Sequence, residues 1–166
     1  ELLAAFVLPN HPAVAPPLNA ASARLGAILG AAAAADEEAV ASYGARLGTA
    51  FQLIDDVLDY SGEEAVIGKK VGDDLAEGKT TLPLIYAIRH GTEKEARVVR
   101  RAIEQGGRGR LAAVIEAIRS TGALDYAREQ AGREAVAARA ALARMPHSSE
   151  RNYLIQLTDF AVTRTY

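Results

Sequence analysis

The chain has 166 residues, 49% of them apolar but only 5% aromatic, with a formal net charge of −2. That length carries one domain with a core of its own, and the Ala-rich, aromatic-poor mixture favours helices packed on small side chains over a sandwich or barrel. The charge balance gives no support for nucleic-acid binding, the lack of cysteine excludes disulfides and thiolate chemistry, and no apolar run approaches the roughly 20 residues that span a bilayer.

In chain order, Glu1 to Leu8 is apolar without a basic flank, a poor secretion signal, so a soluble cytoplasmic protein is expected. Pro9, Pro12, Pro16 and Pro17 predict an irregular entry segment. A small-residue helix is predicted over Leu18 to Ala35, with Leu25, Ile28 and Leu29 as its larger apolar members. Asp36, Glu37 and Glu38 mark the acidic first turn of a long helix to about Tyr60, whose stripe is Val40, Tyr43, Leu47, Ala50, Ile54 and Leu58. Gly62 closes it, and the Gly- and charge-rich stretch to Lys79 reads as a loop with at most a short helical turn.

Thr81 to His90 is predicted helical with Pro83 in its first turn. Thr92 and Glu95 form a capping-box signature for a helix over Glu93 to Gln105. Further helices follow over Arg110 to Thr121, over Leu124 to Met145 ahead of Pro146, and over Ser149 to about Thr163. The last is expected to bury Leu154, Leu157, Phe160 and Ala161. The fold class is all-α. His11, His90 and His147 show no ligand spacing, and Arg128, Arg133, Arg139 and Arg144 read as decoration of a solvated face.

The informative stretch is Phe51 to Tyr60. Gln52, Asp55, Asp56 and Asp59 stand at i, i+3, i+4 and i+7, so they share one helical face, with Asp55 and Asp59 about 6 Å apart along the axis. Like charges one turn apart, near a helix C-terminus, weaken the helix unless something positive binds them. A divalent cation such as Mg²⁺, which takes carboxylates together with phosphate oxygens, is one answer; solvation of the acids at an exposed helix end is the other. The loop from Gly68 to Pro83 then brings Lys69, Lys70 and Lys79 within reach of the acids, with glycines that allow close backbone approach.

These two strings resemble the trans-type polyprenyl diphosphate synthases. Phe51 to Asp59 matches that family's second aspartate motif, Gly68 to Pro83 matches the Gly-Lys string that follows it, and the wording is most similar to bacterial octaprenyl-type members. The resemblance implies an isoprenoid synthase-type helical bundle, Mg²⁺ as cofactor, allylic and isopentenyl diphosphates as substrates, and a homodimer. It implies Asp55, Asp56 and Asp59 as metal ligands, and Asp55, Asp56 and Lys69 as the catalytic set. Phe51, Gln52, Lys69, Lys79 and Asp74 would bind substrate, Phe51 facing the hydrocarbon and Asp74 supporting metal-bound water or Lys69.

The family's first aspartate-rich motif has no counterpart here, nor do the arginines that follow it, and Val14 and Ala15 stand where a Lys-Thr pair is expected. Residues 1–17 are therefore read as an unmatched entry segment or a joined fragment, and residues 18–166 as the carboxy-terminal part of the helical domain. The chain alone is expected to be inactive. A non-catalytic fragment or subunit that binds Mg-diphosphate, or a helical dimerisation scaffold, is the alternative.

Overall fold

The computed structural model describes residues 15–61, 71–105 and 108–165. Every regular element among them is helical: α1 (Ala15–Leu29), α2 (Ala34–Ser61), α3 (Asp73–Ala76), α4 (Leu82–His90), α5 (Glu93–Glu104), α6 (Leu111–Ser120), α7 (Ala123–Ala141) and α8 (Ser149–Thr163). Short 3₁₀ turns precede α6 and follow α7. No helix among the described residues is long and apolar enough to cross a membrane. Gly62, Lys70, His11 and the Gly106–Gly107 pair lie outside the described residues.

The chain divides into two compact units, one built on Asp55–Arg128 and the other on Ala13–Ile54 with Glu129–Arg164. In the first, Tyr60, Leu75, Leu84, Val99, Val114 and Ile118 form the core, and α5 packs against both α4 and α6. Ala96, Val99 and Ala102 recur at three-residue steps on the buried face of α5, while Arg97, Arg100 and Arg101 stay exposed.

The predicted capping box is present: Glu95 N donates to Thr92 Oγ1, and Thr92 N donates to Glu95 Oε2 at 2.7 Å. Ser120 Oγ donates to the other Glu95 oxygen at 2.6 Å. The Ser120 and Thr92 donors hold the Glu95 carboxyl at about 2, well below the ordinary value of about 4.3. Because the folded chain prefers the ionised form, this contribution is complete above about pH 4.3 and is lost as pH falls towards 2. Thermal unfolding of the parent and Glu95→Gln chains should therefore differ by a constant margin above about pH 5 and converge below it.

In the second unit, Tyr43, Ala138 and Leu142 are the buried centre, covered by Leu47, Met145, Leu154 and Ile155. Tyr43 Oη donates to the Leu154 carbonyl at 2.8 Å. On α7 within this unit, Arg133 pairs with Glu129 and Arg139 with Asp159, in keeping with a solvated face.

Several bounds differ from expectation. Helix α1 spans Ala15–Leu29, not Leu18 to Ala35, with Pro16 and Pro17 in its first turn, where the missing N–H groups have no intrahelical partner to lose. Ala34 and Ala35 open α2, and α7 gives way to the 3₁₀ turn at Leu142 before Met145. On α8, Leu157 and Phe160 are 47% and 46% exposed, and Thr158 is buried beside Ala161 instead. The face that packs is set by Leu154 and Ile155 against Tyr43 and Leu142.

Candidate functional site

The carboxylate row stands near the C-terminal end of α2. Asp56 is 3% exposed, beside the buried Val57 and Tyr60, so it is not a solvated surface acid. Asp55 and Asp59 are half-buried. Val57 and Tyr60, one turn apart, are buried, and Asp56, next to Val57, is carried inward with them.

The chain then returns to the same helix end. Gly72 N donates to the Asp59 carbonyl at 2.9 Å and Asp74 N donates to Asp59 Oδ2 at 3.3 Å. Gly72 makes this return possible. Its φ of +79° suits glycine, and a Cβ there would lie 2.4 Å from Leu111 Cδ1. Burial, then the charge of Asp74, push the Asp59 carboxyl up to about 6, against the pull of the Asp74 and Asp73 amides.

Lys79 Nζ donates to Asp74 Oδ1 at 2.9 Å and pairs with Glu77 Oε2 at 2.8 Å. Those acceptors, Glu77 first, raise the ammonium above the ordinary lysine range. The structure thus gives Asp74 to Lys79, and Lys69, to which the sequence reading tied it, lies outside the described residues. The acids Asp56, Asp59 and Asp74 belong to one unit with Lys79.

Phe51 and Gln52 belong to the other unit. Phe51 is partly exposed, with the Arg164 guanidinium 3.6 Å above its ring and Arg164 Nη2 donating to its carbonyl at 2.9 Å. Arg164 was not legible as a partner of Phe51, because nothing in the local sequence says where the end of α8 lands. Glu77 was likewise missed, as one charge in a charged loop.

Among the described residues, no group of three or more His, Asp or Glu side chains is arranged as a ready-made cation cage. The donor set is all oxygen and part-buried, with one carboxyl already destabilised as an anion. That fits a hard cation completed by water and phosphate oxygens, and does not fit a fully protein-ligated metal.

An all-helical chain with this acid row at the end of a long helix has the fold of the isoprenoid synthases. A family model described as Polyprenyl synthetase matches residues 15–118, and the chain belongs to the polyprenyl synthetase family. It is 48% identical over 145 residues to the octaprenyl diphosphate synthase of Escherichia coli (strain K12), covering 87% of this chain and 45% of that one. It is 41% identical over 127 residues to the all-trans-nonaprenyl-diphosphate synthase (geranyl-diphosphate specific) of Rhodobacter capsulatus, covering 76% and 39%. A crystal structure of a polyprenyl synthase from Caulobacter crescentus CB15, complexed with calcium and isoprenyl diphosphate, superposes with a TM-score of 0.82 at 42% identity, over 90% of this chain and 46% of that one. The chain spans less than half the length of these relatives.

Proposed function

We propose that this chain supplies the second metal-and-diphosphate half of a polyprenyl diphosphate synthase, a transferase that condenses isopentenyl diphosphate with an allylic diphosphate. The observation that carries this is the pair Asp59 and Asp74, the amide of Asp74 on the Asp59 carboxyl and Lys79 on the Asp74 carboxyl, in a member of the polyprenyl synthetase family. Carboxylates gathered in a part-buried place, one of them held up at about 6, are stabilised by a cation.

Asp55, Asp56 and Asp59 would hold Mg²⁺, one or two of them directly and the rest through water. The ion would supply charge stabilisation for the departing diphosphate. Lys79 would exchange Asp74 and Glu77 for phosphate oxygens, and Lys69 would add a second ammonium. Phe51 would lie along the hydrocarbon and Gln52 at the same face. A homodimer acting in the cytoplasm belongs to the same reading.

The second reading, a chain that binds Mg-diphosphate without turnover, rests on the same acids and lysine.

Calorimetric titration of inorganic diphosphate, with and without MgCl₂, tests the site. Binding that requires the metal is expected, and no binding in either condition would remove the reading. Lys79→Ala should weaken it by roughly 10- to 100-fold, the worth of one charge-assisted hydrogen bond, with an unchanged far-UV circular dichroism spectrum. A chain-elongation assay with isopentenyl and allylic diphosphates separates the two readings.

A further inference from the structure

Helix α8 is held against α2 by more than its apolar core. Leu154 and Ile155 cover Tyr43 and Leu142, and Tyr43 Oη donates to the Leu154 carbonyl at 2.8 Å. Roughly two to three turns further along both helices, Arg164 meets Phe51. All of these residues belong to the same unit.

Arg164 is fixed at both ends of its side chain. It is the residue that closes α8, its amide donating to the Phe160 carbonyl at 3.1 Å and its Nε to the Ala161 carbonyl at 3.4 Å. A cation in that place is also favoured by the helix dipole. The far end of the guanidinium reaches Phe51, with Nη2 on its carbonyl at 2.9 Å and the cation 3.6 Å above its ring centre. A planar cation that bonds a residue's carbonyl and stacks on the ring of the same residue holds that ring in one rotamer, because turning the side chain about χ1 breaks the stack. Phe51 is still 38% exposed. A ring fixed in this way and left in part to solvent adds little to the fold by burial. The arrangement provides a rigid apolar surface on α2, one turn before Asp55.

We propose that Arg164 is a positioning residue for the apolar end of an allylic diphosphate, holding the Phe51 ring in the orientation along which the hydrocarbon lies. This rests on the reading of Phe51 as the hydrocarbon-facing residue of a polyprenyl diphosphate synthase. Arg164 acts through the ring alone, so its removal costs affinity for the prenyl group and none for the diphosphate.

Calorimetry with two probes, inorganic diphosphate and geranyl diphosphate, each with MgCl₂, tests the role. Arg164→Gln should bind inorganic diphosphate like the parent and geranyl diphosphate roughly 5- to 10-fold more weakly. In Phe51→Leu, which keeps an apolar side chain but offers no ring to stack on, Arg164→Gln should bring no further loss towards geranyl diphosphate. Equal weakening towards both probes would show that Arg164 acts on the diphosphate or through the fold. Parent-like affinity for geranyl diphosphate, or an undiminished loss in Phe51→Leu, would overturn the role. If the parent binds geranyl diphosphate alone, the metal-and-diphosphate reading fails, and the cycle on geranyl diphosphate still decides the role. If it binds neither probe, the polyprenyl synthase reading fails and the positioning role falls with it. Thermal unfolding decides the tie itself without any ligand. Phe51→Leu and Arg164→Gln should each lower the midpoint by about 1–3 °C, and the double variant should fall no further than the worse single. Additive losses would show that ring and guanidinium do not hold each other.

Discussion

Asp55→Ala is expected to weaken Mg²⁺-dependent binding of diphosphate by about 100-fold, whereas Arg139→Ala should bind like the parent. Asp55 is a half-buried acid on the face proposed to hold the cation. Arg139 sits on α7 in an exposed pair with Asp159, the kind of surface contact worth about 0–1 kcal/mol and remote in kind from the site. The condition without metal gives the sharper comparison. Without the cation, removing the Asp55 carboxyl takes a like charge away from diphosphate, and binding should be equal or slightly stronger. A loss of affinity of the same size with and without Mg²⁺ would show that Asp55 acts through the fold.

Gly44→Ala should destabilise the chain by about 2 kcal/mol, lowering the unfolding midpoint by about 4–8 °C. Gly44 lies inside α2, where alanine would ordinarily be the better residue. Its missing side chain is what lets α1 approach. A Cβ at that position would stand 2.4 Å from the Asn19 carbonyl oxygen and 2.9 Å from Ala23 Cβ. Both obstacles belong to the body of α1, so the helix must shift and cannot simply swing a side chain aside. Gly132→Ala is the matched control: a Cβ on that α7 residue meets nothing within 4 Å, and the substitution should stabilise by about 0.5–1 kcal/mol. Equal responses at the two glycines would contradict the close approach of α1 to α2.

Much of the helical order was legible in the residues. The capping box at Thr92 and Glu95, the acidic start of α2, Pro83 in the first turn of α4 and the bounds of α8 all rest on contacts within about one turn, and such contacts are written locally. The aspartate row was legible for the same reason, since i, i+3, i+4 and i+7 name one face wherever the helix lies. Its chemistry was only half legible. That Asp59 is held up at about 6 depends on burial and on the chain coming back through Gly72 to lay Asp74 against the helix end. No period in the sequence encodes that return.

The same limit separates the remaining particulars. A helix with apolar residues at Leu154, Leu157, Phe160 and Ala161 declares that some face is apolar, yet which part is covered depends on the neighbour. Here Tyr43 and Leu142 leave Leu157 and Phe160 outside. Lys79 read as a free loop cation, and folding supplied Asp74 and Glu77 as its partners. Thr81 read as the first residue of a helix, and the structure makes it the N-cap of α4 without a side-chain bond to the helix. Local backbone geometry decides where helices begin and which residues share a face. Burial, pairing and titration are properties of what lies across from them, and only the tertiary structure brings those groups together.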